Sequence, residues 1–183
     1  LFLKCQYYVN FEYMLKELIK NEMYDMINLI ISYSSIIYDY TYFAKHLLKN
    51  KCYELYEKYN DDTYNINLCE IISYLVRKDI RDVCFYIFSK SYDDYINYNE
   101  LLFCAVLNNN YVIAKYIMCK KNILINNECL INAIYNKNDK IISLLFNNLK
   151  IRKINYDKVL EAICDNGYYP LFDIVLNIAK QYG

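Results

Sequence analysis

Cysteine and histidine are the side chains best suited to chemistry, and their spacing decides what this chain can do with them. Eight cysteines stand at positions 5, 52, 69, 84, 104, 119, 129 and 164. No two are two or three residues apart, so the paired spacing of zinc ribbons and redox dithiols is missing. Most lie among apolar residues, which reads as small buried hydrophobes in a reducing compartment. His46 is the only histidine. A nucleophilic or acid–base site would need a thiol or carboxylate delivered to it by the fold, and Cys52 falls past a turn. His46 is therefore expected to be structural or solvent-facing. Asp61-Asp62 and Asp93-Asp94 are adjacent pairs, and adjacent carboxylates do not converge as the spaced carboxylates of a hydrolase do. Solvated loop charge is the expectation for both. Lys150, Arg152 and Lys153, with Lys158 nearby, form a basic cluster of ordinary surface size. The chain has no phosphate-binding loop, Gly-x-Ser-x-Gly, His-Glu-x-x-His or glycine-rich dinucleotide motif. No catalytic residue, cofactor or metal ligand is assigned, and the chain is not expected to be an enzyme.

The 24 tyrosines carry a different chemistry. Tyr33, Tyr38, Tyr40 and Tyr42 crowd one predicted loop, and Tyr92, Tyr95 and Tyr98 crowd another. Tyrosine buries a large area on binding with little entropy loss, so such clusters suit partner recognition. Heavy use of Tyr, Asn, Ile and Lys also matches codon bias in an AT-rich genome, which offers a competing origin for the same residues.

The elements that must position these groups follow from composition and period. The 183 residues are 56% hydrophobic, enough for a sizeable core. Lys+Arg and Asp+Glu number 21 each, so nothing draws the chain to nucleic acid as a whole. Two Gly and one Pro disfavour an all-β fold, which needs many tight turns. Leu1–Asn10 carries a lysine and a glutamine where a signal peptide's apolar core would run, so none is expected there, and no run approaches the ~18 apolar residues of a membrane span. Leu1 in place of Met and the short tail Lys180–Gly183 lead to the expectation that more chain flanks this segment.

Six 13-residue segments align without gaps, starting at Leu18, Leu47, Leu75, Val106, Ile134 and Ile163. Their first two columns are almost wholly apolar, their next three are polar, and the ninth and thirteenth return to apolar. Apolar pairs upstream, such as Ile71-Ile72 and Leu102-Phe103, complete one helix face at spacings of three and four. Asn110, Asn138 and Gly167 end the polar triplet in the last three repeats, where a left-handed residue would close the helix. Each repeat thus predicts two short helices in about 29 residues. A lone pair cannot bury its apolar face, so the pairs must stack into an α-solenoid. The reading is one all-α repeat domain over 1–183, with units near 11–38, 39–66, 67–98, 99–126, 127–155 and 156–183.

The last unit, Ala162 to Leu176 (AICDNGYYPLFDIVL), is similar to the ankyrin run of small residues, Asn-Gly and paired aliphatics. Val106–Met118 and Ile134–Phe146 share its shape. The chain resembles a divergent ankyrin-repeat protein of the kind found in large DNA viruses, although it lacks the Thr-Pro-Leu-His opening and its period is nearer 29 than 33. The resemblance implies a monomeric protein–protein interaction scaffold, directed at a host protein, without nucleic-acid or membrane partners. It implies an intracellular reducing location, the host cytoplasm for a viral chain. It also implies recognition through inter-repeat loops and first helices, here by Tyr40, Tyr42, Tyr95, Tyr98, Lys121 and Arg152. The alternative expectation is a structural spacer array within a longer chain.

Overall fold

Asparagine opens the first helix in four consecutive repeats. The side chains of Asn67, Asn97, Asn126 and Asn155 accept hydrogen bonds from the backbone N–H three residues on, at Glu70, Cys129 and Lys158 at 2.9–3.2 Å and at Glu100 at 3.3 Å. Such caps satisfy N–H groups that no helical carbonyl can reach. In the computed structural model, which describes residues 11–33, 40–59, 66–90, 92–120, 122–148 and 154–182, the described residues form twelve α-helices and no strand. They alternate as first and second helices of a pair. The first helices are α1 (Phe11–Lys20), α3 (Tyr40–Lys49), α5 (Leu68–Arg77), α7 (Tyr98–Leu107), α9 (Asn127–Tyr135) and α11 (Tyr156–Asp165). The second helices are α2 (Tyr24–Tyr33), α4 (Tyr53–Tyr59), α6 (Arg81–Phe88), α8 (Tyr111–Met118), α10 (Asp139–Phe146) and α12 (Phe172–Tyr182). Each first helix packs on its own second helix and on the first helices of the adjacent pairs. The core is therefore a continuous strip, with Leu47, Leu75, Leu101, Ile134 and Ile163 all fully buried.

One turn recurs between the helices of every pair. Glu22, Lys51, Asp79, Asn109, Lys137 and Gly167 all have positive φ, between 50° and 62°. The following residue donates its N–H to a carbonyl five residues back, as in Met23 to Leu18, Ile80 to Leu75 and Tyr168 to Ile163. This is the left-handed helix stop, and only one of the six positions uses the residue that adopts it freely. The structure corrects the sequence reading in repeats four and five. There the left-handed residues are Asn109 and Lys137, one place before Asn110 and Asn138. Asn110 and Asn138 instead cap the second helices, accepting from Ile113 and Ile141. The same one-residue slip moves the core pairs: Ala105-Val106 and Ala133-Ile134 are buried, while Leu107 and Tyr135, expected in the core, are each 50% exposed. The gapless alignment followed the larger apolar side chains, whereas close stacking of first helices takes the alanines inward.

Replacing Lys137 by Gly is expected to stabilise the fold by about 1 kcal/mol, the order of the left-handed penalty for a side chain, less the entropy it returns to the unfolded chain. Gly167→Ala should cost a similar amount, since the new methyl meets only an ordinary contact with Tyr169 at 4.0 Å and the strain is confined to the backbone. Urea denaturation of both variants checks the pair; equal or same-signed shifts would refute the argument.

Asparagine also ties the pairs together. Asn136 donates its amide to Val106 O at 2.9 Å and Asn166 donates to Ile134 O at 2.7 Å, each reaching back one repeat. Asn110 donates to Asp79 Oδ1 at 3.0 Å across the same kind of boundary. At the other end of the first helices, Thr41 Oγ1, Asn99 Oδ1 and Asn127 Oδ1 accept from the N–H groups of Asn67, Leu124 and Asn155, on the segments that lead into the next first helix. Much of the asparagine content thus has structural work, independent of any codon bias.

Candidate interaction surface

Counting from the left-handed residue places equivalent side chains of the six first helices in rows. Two residues before it stand Lys20, Lys49, Arg77, Leu107, Tyr135 and Asp165, all exposed. One turn earlier stand Lys16, Lys45, Ser73, Phe103, Ile131 and Glu161. Helices α5 and α7 show that both rows face one surface. Their Ser73, Arg77, Phe103 and Leu107 line a single open groove of about 590 Å³, edged by Glu70 and Glu100. The surface is basic over the first three repeats, apolar over the fourth and fifth, and acidic at the sixth.

The basic part is only partly neutralised from within. Lys45 Nζ donates to Glu70 Oε1 at 2.6 Å, and Lys20 lies 4.0 Å from Glu17. Lys16, Lys49 and Arg77 form no ion pair among the described residues. Lys45 also lies 5.9 Å from the ring centres of both Tyr42 and Tyr74, within reach of their π faces.

The sequence-predicted residues scatter relative to this surface. Tyr40 and Tyr42, expected in a loop, belong to α3, and Tyr33 to the end of α2. Tyr42 is half-buried against His46, with ring centres 4.5 Å apart. Tyr95 lies on a short 3-10 helix, Asp93–Tyr95, and is 69% exposed. Tyr98 opens α7 and is half-buried; its ring meets Phe88 at 6.1 Å, and Lys120 Nζ sits 5.0 Å from its centre. Lys121, Arg152, Tyr38, Asp61 and Asp62, with Lys150 and Lys153, lie outside the described residues. Of the predicted set, the described side chains of Tyr42, Tyr95 and Tyr98 fall on α3, the short 3-10 helix and the start of α7. The first-helix rows were missed because Leu107 and Tyr135 were assigned inward.

His46 is half-buried on α3, and its imidazole pKa is lowered by burial first, then by the positive charges of Lys49, Lys16 and Lys45. A base whose folded pKa is lowered is stable in the neutral form and loses stability as pH falls below the unfolded value near 6.5. The thermal midpoint should accordingly drop as pH falls from about 7 toward 5, and His46→Gln should remove part of that drop. Parallel melting curves of the two proteins across that range would contradict the assignment. Burial pushes the Cys84 thiol up to about 12 and the Cys129 thiol to about 11, so both stay protonated and inert. Cys119 and Cys164 are exposed, which corrects the expectation of burial for these two. Among the described residues no three His, Cys, Asp or Glu side chains come together as metal ligands, and no helix is long and apolar enough to cross a membrane.

No family model matches the chain, and neither a curated protein nor a solved structure matches it.

Proposed function

We propose that the chain is a protein–protein interaction scaffold, built as a divergent ankyrin-like α-solenoid of the viral kind and directed at a host protein. One observation carries the reading: equivalent side chains of the first helices recur from repeat to repeat, one row of them exposed throughout, and between α5 and α7 they line an open groove. Enzyme pockets enclose their ligands, whereas a shallow surface shared by stacked repeats suits a macromolecular partner. The register found in repeats four and five adds support, since it brings Ala105 and Ala133 to inward positions where ankyrin repeats carry small residues. Among the described residues His46 is flanked by Tyr42 and lysines, surroundings that support a non-enzymatic reading.

The spacer reading has its own observation, the half-burial of Tyr98 against Phe88 between repeats three and four. One experiment separates the two. Proximity labelling is run with the intact chain, with an Arg77→Glu/Leu107→Ser variant and with Tyr95→Ser, each shown to be folded by far-UV circular dichroism. A scaffold yields a specific protein that the first variant loses. A spacer yields the same background from all three.

A further inference from the structure

The two rows on the first helices are segregated by chemistry along the array. Repeats one to three present Lys16, Lys20, Lys45, Lys49 and Arg77, repeats four and five present Phe103, Leu107, Ile131 and Tyr135, and repeat six presents Glu161 and Asp165. A chain with equal numbers of acidic and basic residues thus has, along these two rows, its basic side chains at one end and its acidic ones at the other. We infer that this face binds a single extended polypeptide segment in which an acidic cluster is joined to an apolar cluster. The acidic part lies over repeats one to three and the apolar part over repeats four and five. The inference rests on the scaffold reading and specifies its partner.

Charge complementarity sets the register. Lys16, Lys49 and Arg77 lack ion-pair partners among the described residues, so an incoming carboxylate would not have to displace one. Glu100 and Glu128 are exposed along the edge of the apolar part, and Glu161 and Asp165 close the far end. These four carboxylates repel an acidic segment that is shifted or reversed, so they specify orientation as well as site. The same carboxylates disfavour nucleic acid, whose charge is uniform along its length. In the apolar part, Leu107 and Tyr135 are 50% exposed and flanked by half-buried Phe103 and Ile131. Such a cluster gains by covering. Stacked helices lie about 8–10 Å apart, so the four steps across repeats one to five span roughly 32–40 Å. At about 3.3 Å per residue, an extended segment of roughly 10–12 residues covers that distance. The centres of its acidic and apolar clusters, about two and a half steps apart, should then fall roughly 6–8 residues apart.

The test selects a display library of random 16-residue segments on the full chain, then repeats the selection on two folded variants, Lys49→Glu/Arg77→Glu and Leu107→Ser/Tyr135→Ser. The expected pool carries acidic and apolar clusters in the same segment at that spacing. Selected segments should lose about tenfold or more in affinity for either variant, and raised salt should weaken them on the intact chain but little on the charge-reversed one. Segments that bind this face and lose to both variants, yet lack the joined clusters, would overturn the inference and leave the scaffold reading standing. Segments unaffected by either variant would overturn the inference by placing binding elsewhere. A selection that recovers no segment would sink the inference together with the scaffold reading.

Discussion

Leu102→Ala should lower the unfolding free energy by about 2–5 kcal/mol, the cost of deleting a buried leucine from a core that relaxes only in part. Leu102 is fully buried on α7, and α7 packs against α5, α8 and α9. The substitution therefore loosens the junctions of repeat four with both neighbours, not a local patch. Stability in a stacked array is close to a sum of repeat and junction contributions, so a weak centre should also broaden the urea transition or split it into two. Ile174→Ala, at a position 52% exposed on α12, supplies the contrast and should stay within about 0.5 kcal/mol. Far-UV circular dichroism against urea measures both. A Leu102→Ala loss no larger than that of Ile174→Ala would mean that the repeats are not coupled through this strip.

Asn110→Ala should cost about 1–2 kcal/mol, a large effect for one amide. Asn110 is 3% exposed and does two things at once. Its Oδ1 caps α8 at the Ile113 N–H, and its Nδ2 donates to Asp79 Oδ1 across the boundary between repeats three and four. Asn110→Ser separates the two contributions. A serine hydroxyl can still cap the helix, and its shorter side chain gives up the reach to Asp79. The serine variant should recover part of the loss, and the remainder measures the bond between repeats. Asp79 keeps Arg81 Nε at 2.7 Å in either variant, so no buried carboxylate is left bare. If serine recovers nothing, capping is not the main role; if it recovers everything, the link to Asp79 contributes nothing.

The helix pairs were legible in the sequence because their apolar columns repeat every 28 to 31 residues, and period survives even when identity does not. Repeats two and three read correctly: Leu47-Leu48 and Leu75-Val76 are all buried. Repeats four and five did not, since Ala105 and Ala133 are small enough to suit either face and the larger Leu107 and Tyr135 drew the alignment toward themselves. The left-handed stops were half legible. Gly167 announced itself, but Glu22, Lys51 and Lys137 carry no conformational signal in their residue type, and only the hydrogen bonds of the turn hold them there. The asparagine caps were visible as a recurrence at 67, 97, 126 and 155, nearly the repeat spacing. That signal was lost under a compositional explanation for the same residue. The binding surface suffered most, because a shift of one residue on a helix turns a side chain by about 100° and takes it from core to solvent.

Among the described residues, every substantial helix contact joins a pair to itself or to the pair beside it, and none crosses the array. Pulled by its two ends, such a chain has no long-range clamp that must break first. It should give way one pair at a time, with a shallow sawtooth in force in place of a single rupture. Each tooth would release a unit of about 29 residues, or up to roughly 95–105 Å of slack at 3.3–3.6 Å per residue. The same neighbour-only packing that lines up side chains for a partner would make the molecule a soft spring along its axis.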